Sequence, residues 1–152
     1  MDYSQQNSVD REFFSKDFLV INVLLQRIRN SFISGETVSL SDLDFDGIIN
    51  YDSNLTFVYI TLFQAGQKPL RWGSCRQTLE ETINRDIAQI KNSKLYQNFE
   101  ISNSEKCRIM LEYITEQIPT NIEKIKYATF VPERFEPGVT GLKLLFAGKT
   151  YL

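Results

Sequence analysis

Two stretches of this chain gather side chains whose types and spacing could do chemistry. The first is Asp42-Leu43-Asp44-Phe45-Asp46-Gly47-Ile48, with carboxylates at alternate positions and glycine in the sixth, as at the start of a calcium-binding loop. Calcium takes about six to eight oxygens, and the twelfth position, where a bidentate glutamate would complete the set, is Ser53. The other reading is an acidic surface turn whose aspartates cap backbone N–H groups while Gly47 supplies a positive φ. No metal ligand is assigned on this pattern. A cation at Asp42, Asp44 and Asp46 stays the minor alternative.

The second stretch is Leu70-Arg71-Trp72-Gly73-Ser74-Cys75-Arg76, between a predicted strand and the start of a predicted helix. Two guanidinium groups, a glycine that admits close backbone approach and the N–H groups of a helix start form a cradle for an anion. Trp72 could stack a ring. Cys75, near Arg71, Arg76 and a helix N-terminus, has the surroundings that favour a thiolate. It lacks the usual base, because the chain has no histidine. The alternative reading is a strand end with Trp72 and Cys75 turned into the core and the arginines solvated. The candidate ligand-binding residues are Arg71, Trp72, Gly73, Cys75 and Arg76, and no catalytic residue is assigned.

Composition narrows the classes further. The absence of histidine excludes a Ser-His-Asp triad, a Cys-His pair and every histidine-based zinc site. A net charge of -2 without a long run of one sign leaves no electrostatic footprint for duplex nucleic acid. Cys75 and Cys107 lie far apart, which argues against a disulfide framework and fits a reducing compartment. The N-terminus is polar, and no apolar run is long enough to cross a bilayer, so no membrane partner is implied and a cytoplasmic setting is the expectation. No cofactor is called for.

The elements that must position these residues follow from periodicity. Phe14, Phe18, Ile21, Leu24, Leu25, Ile28 and Phe32 recur at helical spacing, predicting a helix over residues 16–34 closed by Gly35. Residues 36–54 form a long connection with room for one short strand. Residues 55–64 and 68–75 predict a β-hairpin turning at Ala65-Gly66-Gln67. Thr78 with Glu81 makes a capping box for a helix carrying Leu79, Ile83, Ile87 and Ile90. Glu80, Glu81, Arg85 and Asp86 are read as its solvated face, with Glu81 and Arg85 as an i,i+4 pair. Ser102 with Glu105 repeats the capping signal, predicting a further helix through Cys107, Met110, Leu111, Ile114 and Ile118 before Pro119, with Cys107 as a small buried hydrophobe. Residues 122–131 and 140–147 read as strands, joined through a turn holding Glu133, Arg134 and Glu136. The expected fold is α+β: a mainly antiparallel sheet of about four to five strands with three helices packed on it, in one domain over residues 1–152. The apolar Thr150-Tyr151-Leu152 leaves open that the domain belongs to a longer chain.

Residues 56–75 and 124–152 resemble the conserved domain of the family named after the AMME chromosomal region. Its phrase resembling L-R-G-C-I-G is approximated by Leu70-Arg71, Gly73 and Cys75, and its later glycine-leucine phrase by Pro137-Gly138-Val139-Thr140-Gly141-Leu142. Trp72 and Ser74 interrupt the first phrase, and the helix expected within residues 95–119 has no counterpart in the family. The resemblance implies a compact α+β fold with residues 71–76 as its functional loop.

The expectation drawn from all this is a non-catalytic binding or accessory domain contacting a protein partner or a small anionic ligand through residues 71–76. The rival is a small enzyme using Cys75 as nucleophile or a cation at the aspartate turn. A third reading is an assembly protein whose leftover aromatic strand residues meet a partner.

Overall fold

The computed structural model describes residues 3–114, 144–146 and 149–151. Helix α1 spans Tyr3–Ser34, starting earlier than the periodicity predicts. Leu24, Ile28 and Phe32 are buried at the spacing of one helical face, whereas Phe18 is 70% exposed. From Ile21 onward the stripe read from the sequence packs against the core. The helix stops where Gly35 takes φ +81° and its N–H donates to the Ser31 carbonyl at 3.0 Å, a left-handed cap that glycine adopts without strain.

The predicted hairpin forms as β1 (Phe57–Gln64) and β2 (Leu70–Ser74), paired antiparallel from Val58 opposite Ser74 to Leu62 opposite Leu70. The Gln67 N–H closes the turn onto the Gln64 carbonyl at 3.0 Å, and Gly66 sits at φ +76°. Alternation along β1 sends Val58, Ile60 and Leu62 into the core with no exposed surface. Thr78 and Glu81 close the predicted capping box on α2 (Leu79–Lys91), whose Leu79, Ile83, Ile87 and Ile90 pack on the sheet.

The helix predicted through Cys107 is instead strand β3 (Cys107–Ile114), paired antiparallel with the free side of β1 from Gln64 opposite Cys107 to Phe57 opposite Ile114. Cys107, Ile109 and Leu111 fall on the core side at period two, a pattern that overlaps a helical one over so short a run. The Ser102/Glu105 signal yields a single turn, because the Asn103 side chain and carbonyl collect the N–H groups of Glu105, Lys106 and Cys107 before the chain pairs with β1. The sheet order is β2-β1-β3, all antiparallel, so the fold is α+β. Among the described residues there are two α-helices, this sheet of three strands and a separate two-stranded hairpin, where three helices on one sheet of four to five strands were expected.

Residues 36–54 form no strand, yet Val38, Leu40 and Ile49 are buried. Side chains of α2 replace the missing backbone partners. The Asn84 carboxamide accepts from the Val38 N–H and donates to the Val38 carbonyl, both at 2.8 Å, and the Glu80 carboxylate accepts from the Leu40 N–H at 2.7 Å. Glu80 thus serves the connection and does not belong to a purely solvated helix face.

The chain falls into two compact units, Met1–Gln117 and Ile118–Leu152. In the second, β4 (Leu144–Phe146) and β5 (Lys149–Tyr151) form an antiparallel hairpin, with β4 inside the predicted strand over residues 140–147. The predicted strand over residues 122–131 and the turn holding Glu133, Arg134 and Glu136 lie outside the described residues.

Asn84→Ala leaves both polar groups of the part-buried Val38 backbone without their partner, so it should destabilise the protein by about 1–3 kcal/mol in urea unfolding. An unchanged unfolding midpoint would show that water serves Val38 equally well.

Candidate functional site

Strand β2 carries the residues singled out by sequence, and its alternation splits them between two faces. Arg71 and Gly73 lie on the side of Tyr59, and Trp72 and Ser74 on the side of α2. They do not form one cradle.

On the first face the Arg71 guanidinium lies 4.2 Å from the centre of the Tyr59 ring and places Nη2 3.1 Å from Glu112 Oε2 on β3. Stacking and ion pairing together fix the position of the guanidinium on this face. Tyr59 is buried, and burial pushes its hydroxyl pKa upward against the opposing pull of Arg71. Gly73 does permit a close approach, but the group that approaches is the Tyr59 ring. A Cβ on Gly73 would stand 2.1 Å from Tyr59 Cδ1.

On the second face Trp72 remains 46% exposed, so it is neither the core residue of the bland reading nor covered by a neighbour. With Leu70 it forms one wall of an open groove of about 400 Å³, whose other wall is the end of α2 at Ile90 and the following Asn92 and Ser93. Ser74 is buried, and its hydroxyl donates to Asp86 Oδ1 at 2.5 Å.

Asp86, assigned from the sequence to a solvated face, has no exposed surface, and its Oδ2 has no hydrogen-bond partner. Burial lifts its carboxyl to about 7, against the lowering effects of the Ser74 hydrogen bonds and the charges of Arg76 and Arg85. The signal that could have placed it is positional: Asp86 follows Thr82 and Ile83 by four and three residues and precedes Ile90 by four, inside the apolar stripe of α2.

Beyond β2 the backbone is already engaged. The Arg76 N–H donates to Tyr51 Oη and Thr82 Oγ1 at 3.1 and 3.0 Å, and the Tyr51 hydroxyl in turn donates to the Arg76 carbonyl. Thr78 and Glu81 fill each other's backbone N–H groups at the helix start. These are the donors that the anion-cradle reading wanted free. The Cys75 thiol is half-buried and donates to the Ser53 carbonyl at 2.9 Å, with the Tyr51 hydroxyl 3.9 Å away. The Arg76 side chain is exposed.

No protein-family model matches this chain, and neither a curated protein nor a solved structure does. The site therefore stands on its own geometry.

The aspartate turn resolves into separate contacts. Asp42 accepts a two-pronged pair from Arg27 at 2.6 and 2.7 Å, which holds its carboxyl down at about 2. Asp44 accepts from the Asp46 N–H at 3.0 Å, and Gly47 has the expected positive φ of +77°. Among the described residues no three acidic, cysteine or histidine side chains converge as a metal would require.

Two outcomes follow from this geometry. Gly73→Ala should cost about 1–3 kcal/mol, and much less in a Tyr59→Val background, because the strain lies between these two residues. Equal costs in both backgrounds would place the strain elsewhere. For Asp86 the folded pKa of about 7 exceeds the ordinary 3.8, so between those values the folded chain keeps a proton that the unfolded chain has lost. Stability should fall as pH rises through that window and level off above it, by up to roughly 4 kcal/mol. Comparing urea unfolding of wild type and Asp86→Asn from pH 4.5 to 8.5 checks this: the variant should gain on wild type as pH rises, and parallel curves would refute it.

Proposed function

We propose that this chain is a non-catalytic binding domain of a cytoplasmic protein or complex, and that it holds an anionic partner along β2. One observation carries the reading. Among the described residues β2 has a strand on one side only, and its Trp72 is exposed beside an open groove. A large aromatic ring left half in water at a sheet edge is typical of contact surfaces, where tryptophan contributes area at little entropic cost.

Charge supplies the sign of the partner. Residues 65–79, which hold β2, include Lys68, Arg71 and Arg76 and no acidic residue. The chain as a whole is net negative, so this is a local excess. A partner segment fits better than a small anion closed in by both arginines, because Arg71 is held by Tyr59 and Glu112. Cys75 faces a carbonyl and a tyrosine hydroxyl, which favours recognition over nucleophilic chemistry. Kinship with the AMME-region family is part of the same proposal, and it rests on the resemblance of residues 70–75 and 137–142 to that family's phrases. No helix among the described residues is long and apolar enough to cross a membrane.

Trp72 is the sole tryptophan, so its emission reports on the site directly. Titrating poly-L-glutamate should shift that emission, and the Lys68→Glu, Arg76→Glu double variant should bind at least tenfold more weakly. Poly-L-lysine should have no effect. An identical titration with the charge-reversed variant, or no shift at all, would sink the reading.

A further inference from the structure

We infer that the partner held along β2 is an extended protein segment of alternating acidic and apolar residues, which adds to the sheet as a fourth strand. This rests on the proposed binding role of β2 and specifies how the partner is held. Alternate residues of an edge strand direct their N–H and C=O groups away from the neighbouring strand, so, among the described residues, β2 presents a row of backbone partners on the side that has no strand. An extended chain satisfies them in the manner of β-strand addition.

The groove sets the rest of the pattern. It lies between Leu70 and Trp72 of the edge strand and the end of α2 at Ile90, which is the space that core-facing side chains of a strand beside β2 would enter. Leu70, Trp72 and Ile90 give that space an apolar side, with Gln89, Asn92 and Ser93 along its α2 rim, and the apolar side calls for apolar side chains there. Residues between them would point to the opposite face, where Arg71 lies. Arg71 already shares its charge with Glu112, but its side chain is a third exposed and has donors to spare for a second carboxylate. Lys68 before the strand and Arg76 after it extend the positive potential to both ends of the added segment. A uniformly acidic chain would leave the groove unfilled. A uniformly apolar one would leave the cations unmatched.

Five blocked heptapeptides separate the possibilities when titrated against the whole chain by Trp72 emission and calorimetry: alternating glutamate and leucine, the same composition with the glutamates grouped, the alternating peptide N-methylated at every second amide in each of the two phases, and alternating lysine and leucine. Sodium triphosphate is the sixth probe. The alternating acidic peptide should bind at least tenfold more tightly than the grouped one, and N-methylation in one of its two phases should abolish binding while the other phase has little effect. The lysine peptide should not bind. Trp72→Ser, read by calorimetry, should weaken the alternating peptide at least tenfold. If the grouped peptide or triphosphate matches the alternating peptide, β2 contacts anions without adding a strand and the inference falls while the binding role stands. If no probe shifts Trp72, both fall.

Discussion

The position of the edge strand depends on a carboxyl group kept out of water. Asp86 sits in the apolar face of α2 with one oxygen bonded to Ser74 at the end of β2 and the other without a partner. Burying a charge in such a place is costly, and the group answers by holding its proton near neutral pH. On the opposite face the Tyr59 ring lies against Gly73, the residue just before Ser74. The strand is thus gripped from both sides at adjacent positions. That grip leaves its outer edge in a defined place and orientation.

How an edge strand is kept from indiscriminate pairing bears on the same residues. Short length, a neighbouring proline and basic side chains all discourage strands of like kind from adding. β2 has these features: Pro69 precedes it, Lys68 precedes that, and Arg71 lies within it. Positive charge repels a second basic edge and attracts an acidic one. Protection and selection are then the same electrostatic property seen by two different partners.

Much of this was legible in the sequence where a local signal and the tertiary environment agree. The hairpin, the capping box at Thr78, the stop at Gly35 and the positive φ of Gly47 each arise from chemistry within a few residues, and each is present. The reading of Cys107–Ile114 failed because Cys107, Leu111 and Ile114 fit a helical face while Cys107, Ile109 and Leu111 fit a strand face, and only pairing with β1 decides between them. At the candidate site, Arg71, Trp72 and Gly73 were found by type, but their division between two faces needed the register. Asp86 was hidden by an assumption about composition: a charged residue beside Glu80, Glu81 and Arg85 was assigned to solvent although its position lay among Thr82, Ile83 and Ile90. Spacing was the better guide there.

The connection between α1 and β1 is secured by side chains that reach across from α2, over 46 residues from Val38 to Asn84 and 40 from Leu40 to Glu80. Its backbone has no ladder of its own to form early, so it can settle only once α2 exists to receive it. Its outer bend at Asp42 to Gly47 is held by a surface ion pair and short turns, while α1 is anchored independently through Leu24, Ile28 and Phe32. A chain cleaved at that bend would therefore keep its two fragments together, and the severed halves would behave in solution as a non-covalent heterodimer.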